Sequence, residues 1–141
     1  MRMRTALLGQ DEALSARFLG TGFLLMLALV VSEVAFGLGT WLGSGVRVYV
    51  FWLLLVALSA AVAYLNDGLL ISILVAMLVD FGYAPGGGLF GPVSPIEMMG
   101  YLMLSAVIMG LPLGILGYVV GVAAKYMGRL ESVNPAENRA K

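Results

Sequence analysis

The sequence predicts an all-α integral membrane protein, a small helical bundle of four transmembrane helices with a short third helix. Three observations predict it. Hydrophobic residues make up 61% of the chain and charged residues 11%, with a mean hydropathy of +1.00. A soluble domain carries about 25% charged residues, and a surface so poor in charge would aggregate in water, so the solvent must be lipid. Apolar runs of bilayer length recur, separated by Gly-, Pro- and Asn-rich turns. Finally, every basic residue except Arg47, at the start of the second run, lies outside those runs, and four crossings place seven of the eight on one side.

At 141 residues the chain is one domain. It divides into a cytoplasmic N-terminal segment (1–17), a transmembrane bundle (18–124) and a cytoplasmic polar tail (125–141). Segment 1–17 mixes Arg2, Arg4, Asp11, Glu12 and Arg17 with Ala6, Leu7, Leu8, Ala13 and Leu14. That pattern fits an interfacial helix or the start of the first spanning helix. The first apolar run, Phe18–Leu38, has 21 residues. A signal-peptide core has roughly 7–15, so the run is expected to stay as an anchor. A Gly-rich turn follows, and the second run covers Val46–Leu65. Asn66-Asp67-Gly68 reads as a turn, with Asp67 placed to cap the next helix.

The third run is the short one. Leu69–Val79 has 11 residues before Asp80, or 15 if it extends to Tyr83, roughly 16 to 22 Å of helix. A hydrocarbon core is about 30 Å thick, so the segment either spans with local thinning or is re-entrant. A Gly/Pro loop leads to Ser94-Pro95-Ile96-Glu97, with Ser at the N-cap, Pro at the first helical position and Glu at the third. This is a capping box that closes orphan amide donors. Met98–Ala124 then runs 27 residues without a charge, and Pro112 predicts a kink because it lacks an N–H and clashes one turn back.

With four crossings, Arg2, Arg4, Arg17, Lys125, Arg129, Arg139 and Lys141 share one side and Arg47 stands alone on the other. Cytoplasmic loops carry the excess of Lys and Arg, so both termini are expected in the cytoplasm.

Composition excludes several kinds of chemistry. The chain has no Cys and no His, which removes thiolate sites, Ser–His catalysis and the commonest metal ligand. Gly86-Gly87-Gly88 is followed by Leu89, so no phosphate-binding loop with its Lys is present. No enzyme, cofactor or metal site is expected. Net charge is zero and no basic stripe exists, so nucleic acid is not an expected partner.

Three groups of residues remain. Glu33 lies inside the first run, Arg47 opens the second and Asp80 ends the third. Burying a charge in a membrane helix costs at least ~2.5–3.5 kcal/mol, so this candidate cluster is either an ion or proton site or a structural Glu33–Arg47 pair near the outer interface. The second group is a stripe of small residues, Ala106, Gly110, Gly114, Gly117, Gly121 and Ala124, spaced 4, 4, 3, 4 and 3 along one helix face. Small residues let another backbone approach closely, from within the chain or from another protein. The third group is the helix cap, Ser94 and Glu97. The short helix, Asp80-Phe81-Gly82-Tyr83-Ala84, a Pro-bearing loop and a Gly-hinged helix also resemble the pore half of a potassium channel. Only Gly82 and Tyr83 match the filter motif, however, and Asp80 and Ala84 depart from it, so the family is not adopted.

Together these features predict a non-enzymatic polytopic membrane protein. Its partners are the lipid bilayer and other membrane helices, and it acts as a helix-packing subunit of a complex or as a homo-oligomer. The alternative is a small ion- or proton-coupled transporter or channel using Glu33 and Asp80.

Overall fold

A computed structural model of the chain describes residues 7–36, 46–83 and 94–133. Among these every regular element is helical: α1 (Glu12–Phe36), α2 (Val46–Asn66), α3 (Leu69–Gly82), α4 (Pro95–Ser105), a π-helical turn (Ala106–Gly110) and α5 (Leu111–Val133). The last three are continuous, so the elements from Glu12 to Val133 form four helical rods among the described residues. Three of them contain stretches long and apolar enough to cross a membrane: Glu12–Ser32, Val48–Asn66 and Ile96–Arg129.

Helix α1 begins six residues before the expected start. Asp11 explains this, because its Oδ1 accepts hydrogen bonds from the backbone N–H of Ala13 at 2.8 Å and of Leu14 at 3.1 Å and so satisfies two orphan donors of the first turn. Residues 12–17 therefore belong to the first rod. At the other end α5 continues past Ala124 to Val133. Lys125, Met127, Arg129 and Glu131 are good helix formers, and a change from apolar to polar sequence does not end a helix.

Glycine contacts fix how the rods run. Gly22 of α1 lies against Val75 of α3, and Gly82 of α3 against Met26 of α1. The numbers rise together, so α1 and α3 are parallel. Gly110 lies against Met77, and Gly114 against Ile73, so α5 and α3 are antiparallel. Gly117 meets Val56 and Ser59, while Gly121 meets Ala60 and Ala63, so α5 and α2 are parallel. The order is up, down, up, down.

The shortest helix is the central one. Helix α3 packs against α1, α2, α5, the π turn and the end of α4. It buries Ile71, Ser72, Val75, Ala76, Val79 and Asp80. Leu55, Ala76 and Val79 form one apolar cluster with Leu29, Phe51, Leu58 and Leu113 around it; Val62, Ile71 and Val75 form another with Phe18 and Leu19. Burial on all sides fits a run that is apolar all round. By contrast α1 and α2, neighbours in sequence, touch little.

Pro112 acts through the turn before it. The Leu111 N–H reaches back to the Ala106 carbonyl, five residues instead of four. The widened turn sits where a regular helix would press the proline ring onto the Ile108 carbonyl.

Candidate functional site

Polar side chains gather at two places. The first is the end of the bundle where α1 and α3 begin and α2 ends, called the base here. Asn66, fully buried, is its centre. The Asn66 side-chain carbonyl accepts from the Asp11 N–H at 3.0 Å, its amide donates to Ser15 Oγ at 2.7 Å, and its backbone carbonyl accepts from the Gln10 N–H at 2.9 Å. Ser15 in turn donates to the Leu8 and Asp11 carbonyls. Gly9 lets the chain make this bend. It has φ +92°, and an added Cβ would stand 2.7 Å from the Asn66 carbonyl oxygen, so the position requires both the left-handed conformation and the missing side chain.

Asp67 follows, with φ 55°. The expectation that it caps α3 is corrected: Gly68 holds the N-cap position and no side chain caps there. The left-handed turn aims the Asp67 carboxylate elsewhere. Its Oδ2 accepts from the Gln10 side-chain amide and from Lys125 Nζ of α5. One aspartate thus joins the N-terminal segment, the α2–α3 turn and the last helix. A cavity of about 190 Å³ opens beside it, lined in part by Gln10, Lys125, Tyr126 and Arg129.

The second place is Asp80, 1% exposed. Ser105 Oγ donates to its Oδ2 at 3.1 Å from the last turn before the π turn. Among the described residues, the only buried polar side chains between base and Asp80 are Ser59, which donates to the Ser72 carbonyl at 3.3 Å, and Ser72, which donates to the Gly68 carbonyl at 2.9 Å. Eight residues of α3 separate Ser72 from Asp80, roughly 12 Å, and Val75, Ala76 and Val79 fill that stretch. The polar groups therefore form no continuous chain through the described core.

The remaining residues singled out from sequence are placed as follows. Glu33 and Arg47 lie on described helices, but their side chains fall outside the described residues. Asp80 meets Ser105. Of the small-residue stripe, Ala106, Gly110, Gly114, Gly117 and Gly121 are buried and face inward on α3 and α2, whereas Ala124 is exposed. A Cβ at Gly114 would stand 2.7 Å from Ile73 Cα, and one at Gly110 2.8 Å from Met77 Cα. Ser94 and Glu97 make the reciprocal pair: the Glu97 N–H donates to Ser94 Oγ at 3.3 Å and the Ser94 N–H to Glu97 Oε2 at 2.8 Å. Gly82 packs on Met26 and Tyr83 stacks on Phe51 with ring centroids 4.1 Å apart; both are interior packing residues, unlike the carbonyls of an ion filter. Among the described residues no group of three or more acidic side chains could hold a metal ion.

Sequence reasoning missed the base. Asn66 and Asp67 read as an ordinary turn, and Lys125 as the start of a tail. The available signal was that Lys125 is the first charge after 27 neutral residues and four crossings return it to the level of that turn.

No family model matches the chain, and neither a curated protein nor a solved structure does.

Proposed function

We propose that the chain is a non-enzymatic, four-pass membrane component that works by associating with other membrane helices, as a homo-oligomer or as a subunit of a larger complex. The observation that carries this reading is where the polar and small residues point. Asn66, Asp67, Ser15, Ser59, Ser72 and Asp80 are buried and bonded between the chain's own segments. The glycine stripe joins α5 to α2 and α3. What faces outward is large and apolar: Leu24 and Val31 on α1, Leu53 and Leu54 on α2, Leu116 and Val119 on α5. Helix α4 packs chiefly on the π turn and the end of α3, and exposes Ile96, Met99, Met103 and Leu104. Flexible Met side chains suit adaptable contacts.

The four-pass part rests on direction. Helix α3 is only ~21 Å long by its 14 residues, yet it runs the same way as α1 and does not return to the base. From Ser105, level with Asp80, α4 extends roughly 15 Å further to Pro95. Arg17, Lys125 and Arg129 cluster toward the base, which the positive-inside rule assigns to the cytoplasm. Cysteines introduced at Arg17 and Arg129 should react with an impermeant thiol reagent only from the cytoplasmic side, and one at Ile96 only from outside. Labelling of Arg17 and Arg129 positions from opposite sides would reject four passes. For association, the chain purified in mild detergent should run above monomer mass or bring a stoichiometric partner; a clean monomer would count against the reading.

A second reading, a small ion- or proton-coupled transporter, is favoured by one observation, Asp80 itself. An aspartate with a single hydroxyl partner in an apolar core carries a desolvation cost that local packing does not return. Asp80→Asn separates the two. A structural Asp80 predicts unchanged or raised thermal stability, since the amide keeps the Ser105 bond, with no flux to lose. Proton or cation flux in liposomes that Asp80→Asn abolishes would replace the first reading with the second.

A further inference from the structure

We propose that α4 is an arm with two registers, switched by opening and closing the π turn, and that the Ser105–Asp80 bond is its catch. A π turn holds one residue more than the regular turn it replaces; it is rare inside helices and recurs at functional sites. Here it parts two unlike stretches of one rod. Below it, Gly110 lies on Met77 and Gly114 on Ile73, with no room for a Cβ. Above it, Gly100 meets nothing within 4 Å, and Ile96, Met99, Met103 and Leu104 are exposed. The lower stretch is clamped, and the upper one is free to turn about its own axis.

The extra residue decides which face α4 shows to α3. Gly117, Gly110 and Met103 are seven residues apart, close to two turns of a regular helix. An unbroken α-helix would therefore carry the inward glycine face on to Met103 and then to Met99. The π turn moves α4 round by one residue, ~100°. Met103 is 57% exposed instead, and Leu102 and Ser105 are half-buried. That rotation puts Ser105 Oγ 3.1 Å from Asp80 Oδ2. Two features hold it: the bond itself, and Pro112, whose ring would press on the Ile108 carbonyl in a regular turn. Closing the π turn to a regular one, bent at the proline, draws Met99 and Met103 inward, turns Ser105 away and takes the hydroxyl from Asp80. The register thus couples Asp80 to the face that α4 offers to lipid or to another helix. It does so within one chain and does not rest on the association reading.

The chain has no Cys, so single cysteines at positions 96–104 of the full chain can each carry a spin label in phosphatidylcholine nanodiscs, with oxygen accessibility as the readout. The native pattern should peak at Met99 and Met103 and dip at Leu102. Ser105→Ala combined with Pro112→Ala should move the phase of that pattern by ~100°, lowering accessibility at Met99 and Met103, while a label at Val119 on α5 stays exposed. Asp80→Leu with Pro112→Ala removes the catch from the other side and should give the same shift. Ser105→Thr with Pro112→Ala keeps the hydroxyl and should hold the native phase. Deletion of Val107 removes the extra residue, and in the Ser105→Ala, Pro112→Ala chain it should restore the native phase. An unchanged phase in both catch variants, or a shift that survives the deletion, would overturn the two registers. Loss of all periodicity, the mark of an arm that melts without its tie, would overturn them as well.

Discussion

The two ends of the bundle are built differently. At the base, four segments converge and each is tied by a specific device: Gly9 and Ser15 on the N-terminal side, Asn66 and Asp67 in the α2–α3 turn, Lys125 on α5, and glycines that bring α5 onto its neighbours. At the other end α3 has stopped. Helix α1 extends ten residues past Met26, and α4 stands on a π turn with most of its side chains exposed. Glycine shows the contrast best. At Gly114, Gly117 and Gly121 a Cβ would strike a neighbouring helix, whereas at Gly100 in α4 nothing lies within 4 Å. The same residue type is a contact where two helices cross, as at Gly82 and Gly110 as well, and a helix weakness on an open face, as at Gly20 and Gly128. Without a hydrophobic drive between helices in lipid, close packing and polar links carry association; here close glycine contacts run along the bundle from Gly121 to Gly82, while the polar links are densest at the base.

The largest effect expected from this contrast is at the glycines. Gly114→Val would push a branched side chain into the Ile73 backbone, which cannot rotate aside. A loss of about 3 kcal/mol or more is expected, at or beyond the upper end of overpacking costs. Gly100→Ala should instead gain about 0.5–1 kcal/mol from helix propensity. Unfolding in detergent followed by circular dichroism measures both; similar losses at the two positions would erase the distinction between packed and open helix faces.

A smaller effect is expected at the base. Lys125→Met leaves Asp67 with Gln10 alone, and the pair's side chains are 19% and 12% exposed, so solvent screens part of the interaction. A loss of about 1–2 kcal/mol is expected, below the 3–5 typical of fully buried pairs. Lys125→Met combined with Asp67→Asn should recover part of it, since residues in contact couple by roughly 0.5–3 kcal/mol. Strict additivity would mean that the tie does not hold α5 to the turn.

The smallest belongs to the open end. Ser94→Ala removes the cap of α4, and about 1 kcal/mol is expected. Because α4 packs on little else, the change should appear as faster hydrogen exchange over the first turn of α4, with the base unchanged. Faster exchange spreading to α2 would show that the two ends are coupled.

Particular residues show what was readable beforehand. The capping box could be placed from four consecutive letters because a cap is local: N-cap, first and third positions lie within one turn of each other. The stripe on α5 was equally visible as a periodicity, but its partner was not, since spacing defines a face and says nothing of what lies opposite it. Asp67 was read as a cap from its place before a helix. A single left-handed φ turned its carboxylate toward Lys125, and the sequence around it, Asn-Asp-Gly, permits either outcome.

The amino-acid order by itself determined helicity, the number and approximate length of the apolar segments, and the turn at Asn66-Asp67-Gly68, because these depend on hydropathy, periodicity and capping within a few residues; the Gly-rich turn of 37–45 and the Gly/Pro loop of 84–93 lie outside the described residues. Only the tertiary structure decided that α3, the shortest segment, is central, that α1 packs on α3 and not on its sequence neighbour α2, and that Gln10, Asp67 and Lys125 meet. Those outcomes depend on which faces interlock across gaps of more than 50 residues, as between Gln10 and Asp67 or Asp67 and Lys125, where no local preference reaches.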